Sequence, residues 1–112
     1  MKDKAINITA KCPIRTTLEM VGGKWKLLIL QQLHGEKLRL SELKSLIPDI
    51  SEKMLIQELK TLVESGLVHR KNYGEVPPRV EYSLTPVGEE TMPLIAEMVK
   101  FAKKYEQQAL RK

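Results

Sequence analysis

Residues 50–66 read ISEKMLIQELKTLVESG, and this segment carries both a start signal and a stop signal for a helix. Ser51 is a residue type that caps a first turn by accepting a backbone N–H, and Glu52 suits the positive end of the helix dipole. Gly66 stands where a residue in the left-handed conformation closes a helix. The segment therefore predicts a helix that begins after Ser51 and ends at Gly66.

This predicted helix has two different faces. At about 100° per residue, its apolar residues fall on one side: Leu55, Ile56, Leu59, Leu62 and Val63. The other side holds Lys53, Gln57, Lys60, Thr61 and Glu64, with Met54 at its border. One face can pack into a core, and the opposite face is free to contact a partner.

The neighbouring segments give this helix a context. Before it, residues 41–47 predict a compact helix capped by Ser41 and stopped before Pro48. Two short helices joined by a tight turn make a helix-turn-helix. After it, residues 67–73 and 79–84 alternate as strands do, with Val80, Tyr82 and Leu84 on one face, and residues 74–78 join them as a hairpin.

The two ends of the chain complete the pattern. Residues 1–11 lack periodicity and predict a flexible arm, and Cys12-Pro13 starts a helix that Gly22-Gly23 breaks. Residues 24–34 are apolar nearly all the way round, which is typical of a central buried helix. Residues 38–40 are too short to form a strand of their own but can pair with the edge of the hairpin. Thr85-Pro86 starts the last helix, which Pro93 bends or restarts near residues 90–93.

This order of elements predicts a mainly α fold with a small β hairpin (α+β), a winged helix-turn-helix. Residues 12–112 form its single domain, and residues 86–112 form a C-terminal helix that mediates dimerisation. The exposed stripe expected at the dimer interface consists of Leu94, Met98, Phe101 and Tyr105. Because a small chain with apolar residues at its end often completes their burial against a second copy, we expect a homodimer.

Charge and composition narrow the class of function. The 112 residues carry a net charge of +5, which favours a polyanionic partner such as double-stranded DNA. The segment 51–66 itself is slightly acidic, with two lysines against three glutamates. No apolar run reaches membrane-spanning length, no secretory signal is visible and a single cysteine fits a reducing cytoplasm. No metal-ligand spacing, cofactor motif or catalytic constellation is present, so we expect no metal, no cofactor and no enzyme.

Several motifs resemble one known family. They are Cys12-Pro13, Gly22-Gly23-Lys24-Trp25, Lys53-Met54-Leu55, Gly66-Leu67-Val68 and Val76-Pro77-Pro78-Arg79-Val80-Glu81-Tyr82-Ser83-Leu84-Thr85-Pro86. Together they resemble the HxlR-type transcriptional regulators, relatives of the MarR group. The resemblance implies a homodimeric winged-helix repressor or activator, some members of which respond to oxidants through the cysteine before proline. The chain departs from the family at Leu40, where an aromatic is usual, and at Glu58, where a basic residue is usual.

The candidate DNA-contacting residues divide into two groups. Base and phosphate contacts from the recognition helix are expected at Ser51, Lys53, Met54, Gln57, Lys60 and Thr61. Backbone contacts are expected from the hairpin at Arg70, Lys71 and Arg79, with Tyr73 less favoured, and from Lys24 and Lys26. Arg79 has an alternative, since it stands two residues from Glu81 and the two can pair with each other. For every one of these residues the alternative is a solvated surface.

Cys12 is the candidate sensing residue. A thiol at a helix N-cap, with Lys11 adjacent and Arg15 one turn on, is the type of cysteine that electrophiles and peroxides modify. An inert cap residue is the alternative. The expected function is a regulator that binds an imperfect palindrome in DNA as a homodimer and responds through Cys12. A winged-helix module that binds a protein, and a regulator with a small ligand as effector and an idle cysteine, remain open.

Overall fold

The computed structural model describes residues 12–110, so the predicted arm at residues 1–11 lies outside the described residues. Six helices and two strands follow one another in this range. They are α1 (Pro13–Val21), α2 (Lys26–Leu33), α3 (Leu40–Leu46), α4 (Glu52–Glu64), β1 (Val68–Asn72), β2 (Val80–Leu84), α5 (Pro86–Glu89) and α6 (Met92–Leu110). The prediction of a mainly helical winged helix-turn-helix is confirmed.

Helix α4 begins and ends as its sequence predicts. The hydroxyl of Ser51 accepts the backbone N–H of Met54 at 3.1 Å. At the other end Gly66 has φ +80°, and Leu67 donates its N–H to the carbonyl of Leu62 at 3.0 Å. This is the six-to-one bond that closes a helix through a left-handed glycine. The bond turns the chain out of α4 and directly into β1.

The two strands form an antiparallel hairpin, the wing, which comprises residues 68–84. Val68 pairs with Leu84, and Asn72 pairs with Val80. The expected pairing of residues 38–40 with the hairpin edge is present as one bridge, in which Leu38 and Tyr82 exchange backbone hydrogen bonds of 2.9 and 2.8 Å. This bridge ties the entrance of α3 to the wing.

The start of α3 differs from the prediction. Ser41 does not cap the helix, because α3 already begins at Leu40 with Arg39 at the N-cap position. The carboxylate of Glu42 accepts the backbone N–H of Arg39 at 2.7 Å and takes the place of a serine cap. The bridge at Leu38 fixes the backbone just before this point, so the helix starts earlier than the local signal indicates.

The core lies between α2, α3, α4 and the root of the wing. Its fully buried side chains are Ile29, Leu30, Leu33, Leu43, Ile50, Leu55, Leu59, Leu62, Leu67 and Val68. The prediction that α2 is buried all round is wrong on one side, because Leu28 is 47% exposed. Leu28 faces away from the core, toward the side where α6 passes.

The end of the chain is anchored by α5. Thr85 accepts the N–H of Gly88 at 3.0 Å and donates its hydroxyl to the carbonyl of Gly66 at 2.6 Å. A Cβ at Gly88 would lie 2.1 Å from the carbonyl oxygen of Leu67, so only glycine allows this close approach. Helix α6 restarts at Met92, as Pro93 predicts. None of the helices within residues 12–110 has both the length and the hydropathy needed to cross a membrane.

Candidate nucleic-acid interface

Helix α4 presents its polar side chains to solvent. Leu55, Leu59 and Leu62 are at most 1% exposed, which fixes the rotation of the helix on the core. Lys53 and Gln57 on the opposite side are exposed. The exposed group also contains Ser51, Met54 and Lys60. Thr61 is half-buried, and its hydroxyl donates to the carbonyl of Gln57 at 3.1 Å.

Ile56 does not lie where its periodicity predicts. The sequence places it on the core face, but the side chain is 48% exposed and takes no part in the core cluster. Ile56 stands about 100° around the helix from Leu55, which is beyond the edge of the buried stripe. It is therefore part of the exposed face of α4, and the sequence analysis missed it.

One flank of α4 is attached to α2 by an ion pair. The Nζ of Lys26 lies 2.9 Å from Oε1 of Glu58, and both side chains are largely buried, at 16% and 17% exposed. Lys26, expected to contact phosphate, is thus engaged inside the protein. The ion pair also explains why this chain can have a glutamate at position 58, where the HxlR-type pattern usually has a basic residue. Glu58 faces a lysine of its own chain. Lys24 remains exposed, with its Nζ 4.7 Å from the centre of the Trp25 ring.

The wing holds most of its charged side chains in one cluster. The guanidinium of Arg79 lies 3.8 Å from the centre of the Tyr73 ring, and the Nζ of Lys71 lies 4.8 Å from it. Tyr73 donates its hydroxyl to Glu81 at 2.7 Å, and this hydrogen bond raises the pKa of Tyr73 above its ordinary value. Arg79 pairs with Glu75 at 3.4 Å. The alternative pairing with Glu81 is wrong, since Glu81 is engaged by Tyr73.

The sheet register separates the basic residues of the wing. Lys71 pairs with Glu81, whereas Arg70 pairs with Tyr82 in the adjacent register position. Successive residues of a strand point to opposite faces, so Arg70 and Lys71 lie on different faces of the wing. Arg70 is exposed and, among the described residues, makes no ion pair. It is the wing cation most available to an external phosphate.

A cleft between α3, the first turn of α4 and the wing adds two basic residues that the sequence analysis did not single out. The cleft has a volume of about 560 Å³, and its lining includes Arg39, Lys44, Glu52 and Pro78. Lys44 donates to the carbonyl of Pro48 at 3.1 Å. The pairing of Leu38 with the wing, which the sequence predicts, brings Arg39 here from more than forty positions away in the chain.

Cys12 occupies the predicted N-cap of α1. Its Sγ accepts the backbone N–H of Arg15 at 3.4 Å, and the residue is buried, with 5% exposed. The sulfur is therefore held by the first turn of the helix. Within residues 12–110 no three His, Cys, Asp or Glu side chains cluster in a way that could hold a metal ion.

Seven of the thirteen large hydrophobic side chains that are exposed among the described residues lie on α1 and α6. Met98, Phe101 and Tyr105 of α6 are 49%, 73% and 67% exposed, and Leu94 is 37% exposed. From Ala96 to Gln108 every residue of α6 is exposed. Helix α1 adds two further exposed apolar side chains, Ile14 and Leu18. All four residues expected at the dimer interface thus lie on one exposed helix.

Comparison with known proteins identifies the family. The family model described as HxlR-like helix-turn-helix matches residues 20–110. The chain belongs to the HxlR-like helix-turn-helix family. An uncharacterised HTH-type transcriptional regulator of Bacillus subtilis, YkvN, is 48% identical to this HxlR-like chain over 97 residues, which cover 87% of the chain and 82% of YkvN.

Solved structures support the same family. A MarR-family transcriptional regulator from Porphyromonas gingivalis matches this HxlR-like protein with a TM-score of 0.80 and 53% identity, covering 85% of this chain and 93% of that chain. The redox regulator HypR in its oxidized form matches with a TM-score of 0.77 and 38% identity, covering 83% of this chain and 96% of HypR. Transcription regulation through a helix-turn-helix is therefore the function class of this protein.

Proposed function

We propose that this HxlR-like regulator binds a specific DNA operator as a homodimer. Helix α4 enters the major groove, and the wing lies along the flanking backbone. The observation that carries this proposal is the exposed face of α4, where the side chains of Lys53, Gln57 and Lys60 make no ion pair or side-chain hydrogen bond with the described residues. Lysine can donate to guanine or phosphate, and glutamine can pair with adenine, so this face has the chemistry for reading base edges.

The surrounding surface supplies contacts to the backbone. Arg70 on the wing, Lys24 before α2 and Arg39 in the cleft are exposed cations on elements adjacent to α4. Phosphate contacts of this kind position a protein without reading sequence. Lys26 is left out of the proposed interface, because Glu58 holds it. Arg79 is stacked on the Tyr73 ring and paired with Glu75, so it reaches phosphate only if it leaves both. Lys71 lies beside the same ring but is exposed, so its ammonium group can also contact phosphate.

Dimerisation through the terminal helices is part of the proposal. The uncovered part of α6 is about 20 Å long, and an isolated helix of that length is only marginally stable in water. Its apolar stripe gains burial when a second copy packs against it. An apolar groove between Leu28 of α2 and Met98 of α6 continues this surface. The two α4 helices then meet half-sites of an imperfect palindrome about 34–36 Å apart.

The test is nuclease protection of the DNA upstream of the protein's own coding region, with a gel shift against a scrambled competitor. We expect a protected palindrome and a preference over scrambled DNA that survives moderate salt. Equal affinity for every duplex contradicts the proposal. Binding to a protein partner through α4 and the wing, with no DNA protection, would identify the protein-interaction module instead.

We further propose that Cys12 links binding to oxidants or electrophiles. Support comes from HypR, which is named a redox regulator, and from the position of the single cysteine at the N-cap of α1. Because Cys12 is buried, a reagent reaches it when the first turn of α1 opens. The products are a disulfide between the two Cys12 residues of a dimer, a mixed disulfide with a small thiol, or an alkylated thiol.

Cys12→Ser separates sensing from folding, because serine is itself a preferred N-cap residue. We expect the variant to bind the operator like the wild type and to lose the response to diamide, which takes two electrons and two protons from a pair of thiols. A response that persists in Cys12→Ser contradicts the sensing role. A melting-temperature shift by a small ligand that persists in the variant would support a ligand-controlled regulator with an idle cysteine.

A further inference from the structure

Ile56 is an exposed apolar side chain that lies outside the core cluster of the described residues. It is 48% exposed, whereas its neighbour Leu55 is fully buried. Other half-buried apolar residues nearby, such as Leu40 and Val63, pack against the core cluster, and Ile56 does not. Ile56 also lies on a different helix from the exposed apolar residues of α1 and α6. The surface proposed for dimerisation lies on those two helices and therefore does not include Ile56.

The surroundings of Ile56 are those of the proposed groove-facing surface. It lies in the second turn of α4, and the N-terminal part of a recognition helix is the part that contacts base edges. Gln57 is its neighbour in sequence, and Lys53 and Lys60 lie one turn before and after it on the exposed face. Helix α4 holds two lysines against three glutamates, so its net charge does not attract phosphate. Contacts other than charge must contribute to discrimination between bases.

We propose that Ile56 is a specificity-determining residue that contacts the C5-methyl group of a thymine in the operator. This inference rests on the proposed function. The thymine methyl is the apolar group that a base pair presents in the major groove, where the other recognition groups are hydrogen-bond donors and acceptors. A branched alkyl side chain against a donor or acceptor would leave that group without a partner, which is costly. Contact with the methyl group removes apolar surface of both partners from water.

The test uses operator duplexes in which single thymines are replaced by deoxyuridine, which lacks only the C5-methyl group. The dissociation constants are measured at one fixed salt concentration. Burying one methyl-sized group changes affinity by about fourfold. We therefore expect at least one thymine in each half-site whose replacement weakens wild-type binding about fourfold, and the remaining thymines to respond little.

The decisive comparison repeats this series with Ile56→Ala. We expect this variant to bind the thymine and deoxyuridine operators equally at the sensitive position. Leu46→Ala is the matched control, since Leu46 is 51% exposed on α3 and lies outside the face of α4. Its sensitivity to deoxyuridine should equal that of the wild type. If Ile56→Ala binds too weakly to measure, Ile56→Val replaces it. Its ratio of the dissociation constants for the deoxyuridine and thymine operators should then fall between one and the wild-type value.

Three results overturn the inference. The first is that wild-type binding does not change with any deoxyuridine replacement. The second is that Ile56→Ala keeps the wild-type ratio between the dissociation constants for the deoxyuridine and thymine operators. The third is a change of dimer state in Ile56→Ala in sedimentation, which would place Ile56 in the contact between copies. The first two leave the regulator proposal intact, because an operator is still protected. Failure of the proposed function shows itself earlier, as the absence of any protected fragment.

Discussion

Helices α4 and α6 are both amphipathic, but they differ in which face is exposed to solvent. The centre of the apolar face of α4 is covered by α2, α3 and the root of the wing, with Leu55, Leu59 and Leu62 at most 1% exposed. The stripe of α6 is uncovered, with Phe101 73% exposed and Tyr105 67% exposed. The polar face is the available one on α4, and the apolar face is the available one on α6. One helix is thus suited to contact a charged partner, and the other is suited to contact its own copy.

The largest expected effect follows from the covered stripe. Leu59→Ala should lower the free energy of unfolding by about 2–5 kcal/mol, because it leaves a cavity in the core. Urea denaturation followed by circular dichroism measures the change. Phe101→Ala is the matched variant on the uncovered stripe and should change the unfolding of the dissociated protein by less than about 0.5 kcal/mol. Equal losses in the two variants would mean that α6 is packed within its own chain.

The next effect concerns α6 and the second copy. Phe101→Glu places a charge in the proposed contact between copies, so sedimentation should show monomers at concentrations where the wild type is dimeric. Operator affinity should fall about a hundredfold, since one half-site no longer assists the other. Gln107→Glu adds the same charge on the polar side of α6 and should leave both properties unchanged. A dimer that survives Phe101→Glu would require a different interface.

The attachment of α4 to α2 gives the third prediction. Lys26→Ala and Glu58→Ala should each destabilise the fold by about 1–3 kcal/mol, because each leaves a largely buried polar group without its partner. The double variant should lose less free energy of unfolding than the two single variants lose together. A double-mutant cycle gives the coupling energy between the two side chains. Additive losses in urea denaturation would show that the contact at 2.9 Å contributes nothing to stability.

The smallest effect separates base reading from backbone contact. Gln57→Ala should weaken operator binding about tenfold and leave scrambled DNA unaffected, because an amide that pairs with a base carries sequence information. Arg70→Ala should weaken both duplexes by a similar factor and reduce the dependence of log Kd on log salt by about one. Filter binding at several salt concentrations measures both quantities. The reverse pattern would exchange the roles assigned to α4 and the wing.

The local signals of the sequence were sufficient for the order of the elements and for most of the helix ends named in the prediction. Ser51, Gly66 and the pair Thr85-Pro86 mark helix ends through hydrogen bonds that the structure contains. Each of these bonds joins residues within about five positions, so it depends little on the rest of the fold. The same signal failed at Ser41, where the bridge between Leu38 and the wing starts the helix earlier.

The side-chain environments of the candidate interface required the tertiary structure. The pairing of Lys26 with Glu58, the stacking of Arg79 on Tyr73 and the exposure of Ile56 follow from how helices cross and strands pair. Periodicity assigns a residue to a side of a helix, but the neighbours determine how wide the buried stripe is. The sequence by itself therefore determined the order of the elements, most of the predicted helix ends and the family. Only the tertiary structure decided which charges are engaged within the chain and which remain available, because that depends on distances between residues far apart in the sequence.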